Sequence, residues 1–219
     1  MIKMDYVHTL KKNQLYTMKK IFTLLFLLWT GLSVTAQDFN KNLSAARSSY
    51  SSGNLTDARF EMEQMLSDLD RIIGKEILKL LPTTLNGLNY NAKDDNVTGS
   101  SGNIAAGLYV HRSYGTDATK DANIEIINNS PLITSINAIL STPILGSMMR
   151  NENQSVVRVQ GYKSLLNKNT NSETGKTSYQ LQIPMNNTLL TINMDDTTED
   201  KITNAANQLP LQKIVQIAQ

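Results

Sequence analysis

The stretch from Ile124 to Leu140 constrains the fold most, because its hydrophobic period changes once along its length. Ile124 and Ile126 alternate with polar residues, which predicts a half-buried strand. Ser130 and Pro131 then predict a helix start, since a serine side chain accepts a hydrogen bond from a free first-turn N–H and proline has no N–H to leave unpaired. The apolar stripe of that helix consists of Leu132, Ile136, Ile139 and Leu140.

Alternating apolar residues predict strands both before and after this junction of strand and helix. A strand ending near Tyr114 and a return strand through Ile126 should form a hairpin. After the helix come strands around Val157, Leu181 and Ile192, followed by two amphipathic helices. We therefore predict an α+β fold, with a helical hairpin followed by an antiparallel sheet that is covered on one face by helices, in the order strands, helix, strands, helix.

Residues 37–81 contain no proline and have helical periodicity, which predicts a helical hairpin ahead of the α+β domain at residues 82–219. Gly53 suits the left-handed position that ends a helix, and Thr56 is the predicted cap of the second helix. The acidic residue Asp57 favours the positive end of that second helix.

Ala46, Gly53 and Ala58 resemble a single tetratricopeptide-like repeat, in which small residues let two helices approach closely. Solenoids of such repeats usually need three or more copies to bury a continuous core, and the chain contains no second copy. We therefore interpret the hairpin as packing on its own domain. The alternative is a partner helix bound through Met62 and Met65, because methionine side chains adapt to irregular surfaces.

The first 36 residues have the features of a secretory signal peptide. Two lysines after Met18 precede an apolar run from Ile21 to Val34, which is about 14 residues long and shorter than the ~20 needed to span a bilayer. Cleavage is predicted after Ala36, so the mature chain would begin at Gln37 with no membrane span. Met18 is the predicted translation start. The expected location is the periplasm or the cell exterior.

Charge and cysteine content exclude several classes of function. From Gln37 onward the chain has 16 basic and 18 acidic residues, and this near-neutral balance without a basic run gives no reason to expect a nucleic acid partner. The chain has no cysteine. Structural disulfides, thiolate catalysis and thiolate metal sites are therefore excluded, and so is a lipoprotein anchor.

His111 is the only histidine after the predicted signal. We expect it on the polar face of a strand, where an ordinary exposed histidine is the simpler interpretation. An enzyme remains an alternative: Asp94, Asp95 and His111 form the one polar cluster that a carboxylate-dependent hydrolase would use.

A second acidic group precedes the first of the two C-terminal helices and consists of Asp195, Asp196, Glu199 and Asp200. It lacks the alternating ligands and the glycine of a calcium loop. Acidic side chains and Thr197 or Thr198 at this place favour the helix dipole and cap free N–H groups, so we interpret the group as a helix start, with cation binding as the alternative.

The residues that end strands and begin or end helices over Pro82–Gln219 resemble those of a group of uncharacterised bacterial exported proteins. The shared features are Leu81-Pro82, the strand end at Tyr114, Ser130-Pro131-Leu132, Pro143, Gly161-Tyr162-Lys163 and the terminal amphipathic helix. The resemblance implies an exported protein, and it implies no activity and no site residues.

The sequence therefore predicts an exported, non-enzymatic binding or interaction protein of the bacterial periplasm or cell surface. No catalytic, cofactor-binding or metal-binding residue is assigned. The expected partner is an envelope protein or a small apolar ligand, not a nucleic acid. Two alternatives remain open: a carrier that holds a small apolar ligand between sheet and helices, and the hydrolase.

Overall fold

The computed structural model describes residues 33–99, 107–116, 119, 121–141 and 153–218 of the chain. Of the predicted signal region, residues 1–32 lie outside this described part. The chain divides within one helix into two compact units, Met1–Glu61 and Met62–Gln219.

The described residues form two helices, a group of strands, a third helix, four more strands and two C-terminal helices. The helices are α1 (Ser33–Ser51), α2 (Leu55–Leu80), α3 (Leu132–Ser141), α4 (Glu199–Asn207) and α5 (Leu211–Ala218), with a short 3₁₀ helix at Ala92–Asp94. The strands are β1 (Thr84–Leu85), β2 (Leu88–Asn89), β3 (Asn96–Thr98), β4 (Tyr109–Tyr114), β5 (Ala122–Asn128), β6 (Gln154–Val159), β7 (Tyr162–Thr170), β8 (Thr177–Met185) and β9 (Thr188–Met194).

The turn between α1 and α2 follows the sequence prediction at Gly53 and departs from it at the cap. Gly53 has a φ of +79°, the left-handed conformation that glycine adopts without a Cβ penalty. The side chain of Asn54, not that of Thr56, caps α2: its Oδ1 accepts a hydrogen bond from the N–H of Asp57 at 3.3 Å. The Asn54 amide also donates to the Asp57 carboxylate, so each of the two residues fixes the other.

Seven antiparallel strands form the main sheet in the order β3-β4-β5-β9-β8-β7-β6. β1 and β2 form a separate two-stranded hairpin. β5 and β9 pair at the centre of the main sheet, where Ile124 lies opposite Ile192, so the strands before α3 join those after it. The predicted α+β class with an antiparallel sheet is thus confirmed.

One face of the sheet carries the main hydrophobic core. The C-terminal half of α2, together with α4 and α5, packs on it, and the helix residues that contribute include Ile77, Ile202, Leu211 and Ile214. α2 comes very close to the sheet at Gly74, where a Cβ would overlap the side chains of Val97 and Leu108. Glycine lets α2 lie this close to the sheet because it has no Cβ.

α3 lies on the opposite face of the sheet, so the prediction that helices cover one face is wrong in this respect. Ile136 packs against Leu165 and Leu189, whose side chains leave β7 and β9 on the side away from the main core. This follows from the strand period of two, because Leu166 and Leu190 occupy the main core. The predicted cap is present: Ser130 Oγ accepts a hydrogen bond from the N–H of Leu132 at 3.4 Å.

None of the helices in the described ranges is both long enough and apolar enough to cross a membrane.

Candidate functional site

The face of the sheet that carries α3 is mostly polar beyond that helix. Its strand residues lie in rows that run across the strands, about 4.8 Å from one strand to the next. One row consists of Ser113, Asn123, Asn193, Gln180, Asn167 and Gln154. The adjacent row contains His111, Glu125, Thr191 and Gln182.

Five half-buried side-chain amides in the first row form a continuous chain of hydrogen bonds, which we call the amide ladder: Gln154, Asn167, Gln180, Asn193 and Asn123. Each amide nitrogen donates to the oxygen of the next amide. The successive distances are 2.8, 3.3, 3.0 and 2.8 Å. Because each amide is held by its neighbours, the ladder fixes the orientation of polar groups across five strands.

Tyr109, His111 and Glu125 stand together beside the amide ladder. The Tyr109 hydroxyl donates to Glu125 Oε1 at 3.3 Å, and the rings of Tyr109 and His111 are stacked with centroids 6.4 Å apart. His111 Nδ1 lies 3.7 Å from the same Oε1, which is ion-pair range but too long for a hydrogen bond. This nitrogen is buried and has no hydrogen-bond partner. The sequence prediction that His111 lies on the polar face agrees with this position.

The electrostatics of the cluster keep Glu125 ionised and Tyr109 protonated. The adjacent His111 imidazole lowers the pKa of Glu125, the Tyr109 hydroxyl adds to that effect, and burial opposes it. Burial raises the pKa of Tyr109 to about 12, and the neighbouring Glu125 carboxylate adds to the rise. The cluster therefore holds an ionised carboxylate and a protonated phenol at neutral pH, joined by the hydrogen bond from Tyr109 to Glu125.

The lowered pKa of Glu125 predicts an acid-dependent loss of stability. A carboxyl group with a lower pKa in the folded chain stabilises it above the ordinary value of 4.5 and loses this contribution as the pH falls through the folded pKa. The difference in unfolding free energy between the wild type and Glu125→Gln should therefore be largest near neutral pH and shrink below about 4.5. Urea unfolding at a series of pH values measures it, with Glu173→Gln in an exposed loop as the control. A difference that grows on acidification would contradict the assignment.

The three residues of the predicted hydrolase cluster have separate partners. Ser113 Oγ donates to Asp94 Oδ2 at 2.7 Å, whereas His111 faces Glu125. Asp95 accepts two hydrogen bonds from Arg112, at 2.9 and 2.6 Å. Arg112 shares the core face of β4 with Val110 and Tyr114, so Asp95 contacts the side of the sheet away from His111. The predicted grouping of Asp94, Asp95 and His111 is therefore not assembled as a catalytic set.

Arg112 is instead the centre of a buried structural cluster that sequence analysis missed. Its side chain is 7% exposed. Besides Asp95, its guanidinium donates to the backbone oxygen of Leu81 at 3.1 Å and lies 4.5 Å from the centre of the Tyr90 ring. The sequence signal was available: Arg112 occurs in phase with Val110 and Tyr114, and a charge on an apolar face requires a buried partner.

The second acidic group lies at the start of α4. Thr198 Oγ1 accepts a hydrogen bond from the N–H of Lys201 at 3.4 Å, so Thr198 is the cap, and Glu199 and Asp200 occupy the first turn. Asp196 pairs with Lys176 at 3.0 Å. This agrees with the interpretation as a helix start. Across the described ranges, no group of three or more His, Cys, Asp or Glu side chains is placed to hold a metal ion.

The exposed side of α2 is a second candidate surface. Met62, Leu66, Leu69 and Ile72 are 49%, 58%, 46% and 41% exposed. Their spacing places them on one side of the helix, and we call them the apolar stripe of α2. Large apolar side chains clustered in this way on a soluble surface mark interaction sites more often than scattered ones do.

Comparison of the chain with protein-family models, with curated proteins and with solved structures found no match.

Proposed function

We propose that the chain is an exported, non-enzymatic interaction protein of the bacterial envelope, and that the apolar stripe of α2 binds its protein partner. The single observation that carries the proposal is the exposure of four large apolar side chains on one side of a helix whose C-terminal half is anchored in the core. Burying such side chains against a partner contributes about 25 cal/mol per Å² of apolar area.

The proposed partner of the stripe is an amphipathic helix, which lays its apolar face along the stripe and pairs with α2 side by side.

The separate partners of His111, Asp94 and Asp95 favour an interaction protein over the hydrolase. Side chains of the sheet and of α4 and α5 bury one another on the main core face, which favours a surface over an internal apolar ligand. The resemblance to exported bacterial proteins of unknown function agrees with this proposal and adds no residues to it.

Charge substitutions on two sides of α2 test the proposal. Leu66→Asp places a carboxylate in the stripe, whereas Gln64→Asp makes a similar change on the opposite, polar side of the same helix. Both sites are exposed, so both variants should fold. We expect Leu66→Asp to lower capture of the envelope partner at least tenfold in quantitative co-purification from the native host, and Gln64→Asp to leave it within twofold, because burying an unpaired charge costs more than one decade of affinity. Equal capture by the two variants would refute the assigned surface.

Export is tested separately. The mature protein purified from the host envelope should begin at Gln37, with residues 1–36 removed. Intact-mass spectrometry and N-terminal sequencing measure this directly. Arginine in place of Ala36 should block cleavage, because the peptidase accepts only small residues there, while the matched substitution Gln37→Arg leaves that small residue in place. An unprocessed chain in the cytoplasm would contradict the proposed location.

A further inference from the structure

We infer that the polar sheet face formed by the amide ladder and the adjacent cluster of Tyr109, His111 and Glu125 is a binding site for neutral glycans. This site is distinct from the apolar stripe of α2, and it does not depend on the partner proposed for that stripe.

The hydrogen-bonding capacity left over by the ladder indicates the chemistry of the ligand. A primary amide has two N–H donors and two acceptor positions on its oxygen. Gln180 and Asn193, at the centre of the ladder, each use one donor and one acceptor within it. Each retains one donor and one acceptor for an outside group. A hydroxyl both donates and accepts, and therefore matches this capacity.

Charge excludes the common alternatives. Among the strand residues of the row that Glu125 shares with His111, Glu125 is the only Asp or Glu, and the row contains no Lys or Arg. Its lowered pKa keeps it negative at neutral pH, which repels carboxylate and phosphate ligands. A cationic ligand would satisfy Glu125 but would leave the ladder N–H groups without acceptors, which is costly for half-buried groups.

The ring pair adds an apolar contact of the kind that sugars use. His111 stands in the row next to the ladder and Tyr109 in the row beyond it, and the planes of their rings are 14° apart. The carbon-bound hydrogens of a pyranose ring pack on aromatic surfaces, while its hydroxyls reach polar neighbours.

The ladder amides are already ordered without a ligand, and the simpler interpretation is that they only stabilise the sheet. Cross-strand amides also stabilise a sheet by themselves, and that role explains the ladder bonds. It leaves unused the second donor and the second acceptor that Gln180 and Asn193 each retain. Because the ladder already fixes the amide orientations, a ligand loses little side-chain entropy on binding.

The test uses the isotope-labelled full-length exported protein, whose Asn and Gln side-chain N–H₂ signals are observed directly by NMR. The probes are cellohexaose, maltohexaose, xylohexaose and chitohexaose, with hexagalacturonate as the anionic comparison. We expect at least one neutral oligosaccharide to shift the ladder amide signals in a saturable way at millimolar concentration or below. Hexagalacturonate should bind more weakly, because Glu125 repels it.

Variants provide a second readout. Gln180→Ala should weaken binding about tenfold, equivalent to ~1.4 kcal/mol, whereas Gln216→Ala on the exposed side of α5 should not change it. If Gln180→Ala does not fold, Asn193→Asp takes its place, because it replaces an N–H₂ donor by an oxygen of similar shape. The signal shifts of the wild-type protein test the inference even if neither variant folds. Leu66→Asp should bind the sugar normally, which separates this site from the α2 surface.

Three results would overturn the inference: no ladder shift with any neutral probe, shifts confined to other parts of the surface, or tighter binding of hexagalacturonate than of every neutral probe.

Discussion

Replacing Arg112 by alanine is expected to lower the free energy of unfolding by about 3–5 kcal/mol, because it leaves Asp95 as a buried charge without its partner. Arg112 also holds the backbone oxygen of Leu81, where α2 ends, and stacks over Tyr90. The substitution therefore removes contacts that connect β4 to the end of α2 and to the segment before β3. Urea unfolding at neutral pH measures the loss.

Two comparisons make this prediction specific. Arg71→Ala removes an arginine of α2 that pairs with Asp68 at the surface, with 54% of the Arg71 side chain exposed, and should cost less than about 1 kcal/mol. Asp95→Ala should cost nearly as much as Arg112→Ala, and the double variant clearly less than the two losses added together, because the residues form one unit. Additive losses, or a loss below about 1 kcal/mol for Arg112→Ala, would contradict the buried ion pair.

Ile192→Ala should destabilise the protein by about 2–5 kcal/mol, since it opens a cavity at the centre of the sheet. Ile192 is fully buried on β9, opposite Ile124 of β5 on one side and Leu181 of β8 on the other. It therefore packs where the strands before α3 meet those after it. Calorimetric and urea unfolding should both show the loss.

A graded series checks that packing is the cause. Ile192→Val removes one methylene group and should cost about 0.5–1.5 kcal/mol. Val156→Ala on the edge strand β6, where the side chain is half exposed, should cost less than about 1 kcal/mol. If Ile192→Ala cost no more than Val156→Ala, β9 would not be the central strand of the core.

Local patterns in the sequence predicted the elements well. The alternation around Ile124 and Ile192 predicted β5 and β9. Ser130 and Thr198 cap helices as their positions indicated. These features depend on residues within a few positions of one another, which is why the sequence reveals them.

Long-range pairing was not predictable from the same patterns. β5 and β9 each have two edges, and nothing local indicates that they pair with each other across the 59 residues between Asn128 and Thr188. The side of the sheet that α3 covers depends on that pairing.

The amide ladder was hidden for the same reason. Asn123, Asn167, Gln180 and Asn193 were visible as polar residues that alternate with apolar ones, which indicates a solvent-facing side. Their meeting in one row depends on the register of four strand pairs, and a slip of one residue in any pair would break the row. Arg112 was also visible, but its partner Asp95 lies outside the β4–β5 hairpin, across a register that the sequence does not specify.

Site-specific photo-crosslinking from α2 in the native host tests the proposed interaction surface most directly. A benzophenone amino acid at Leu66, within the apolar stripe, should form one discrete adduct with an envelope protein, and mass spectrometry of the adduct should place the contact on an amphipathic helix. The same amino acid at Gln64, on the opposite side of α2, should form none. Equal adducts from both positions, or an adduct from Gln64 alone, would contradict the assignment of the apolar stripe as the partner site.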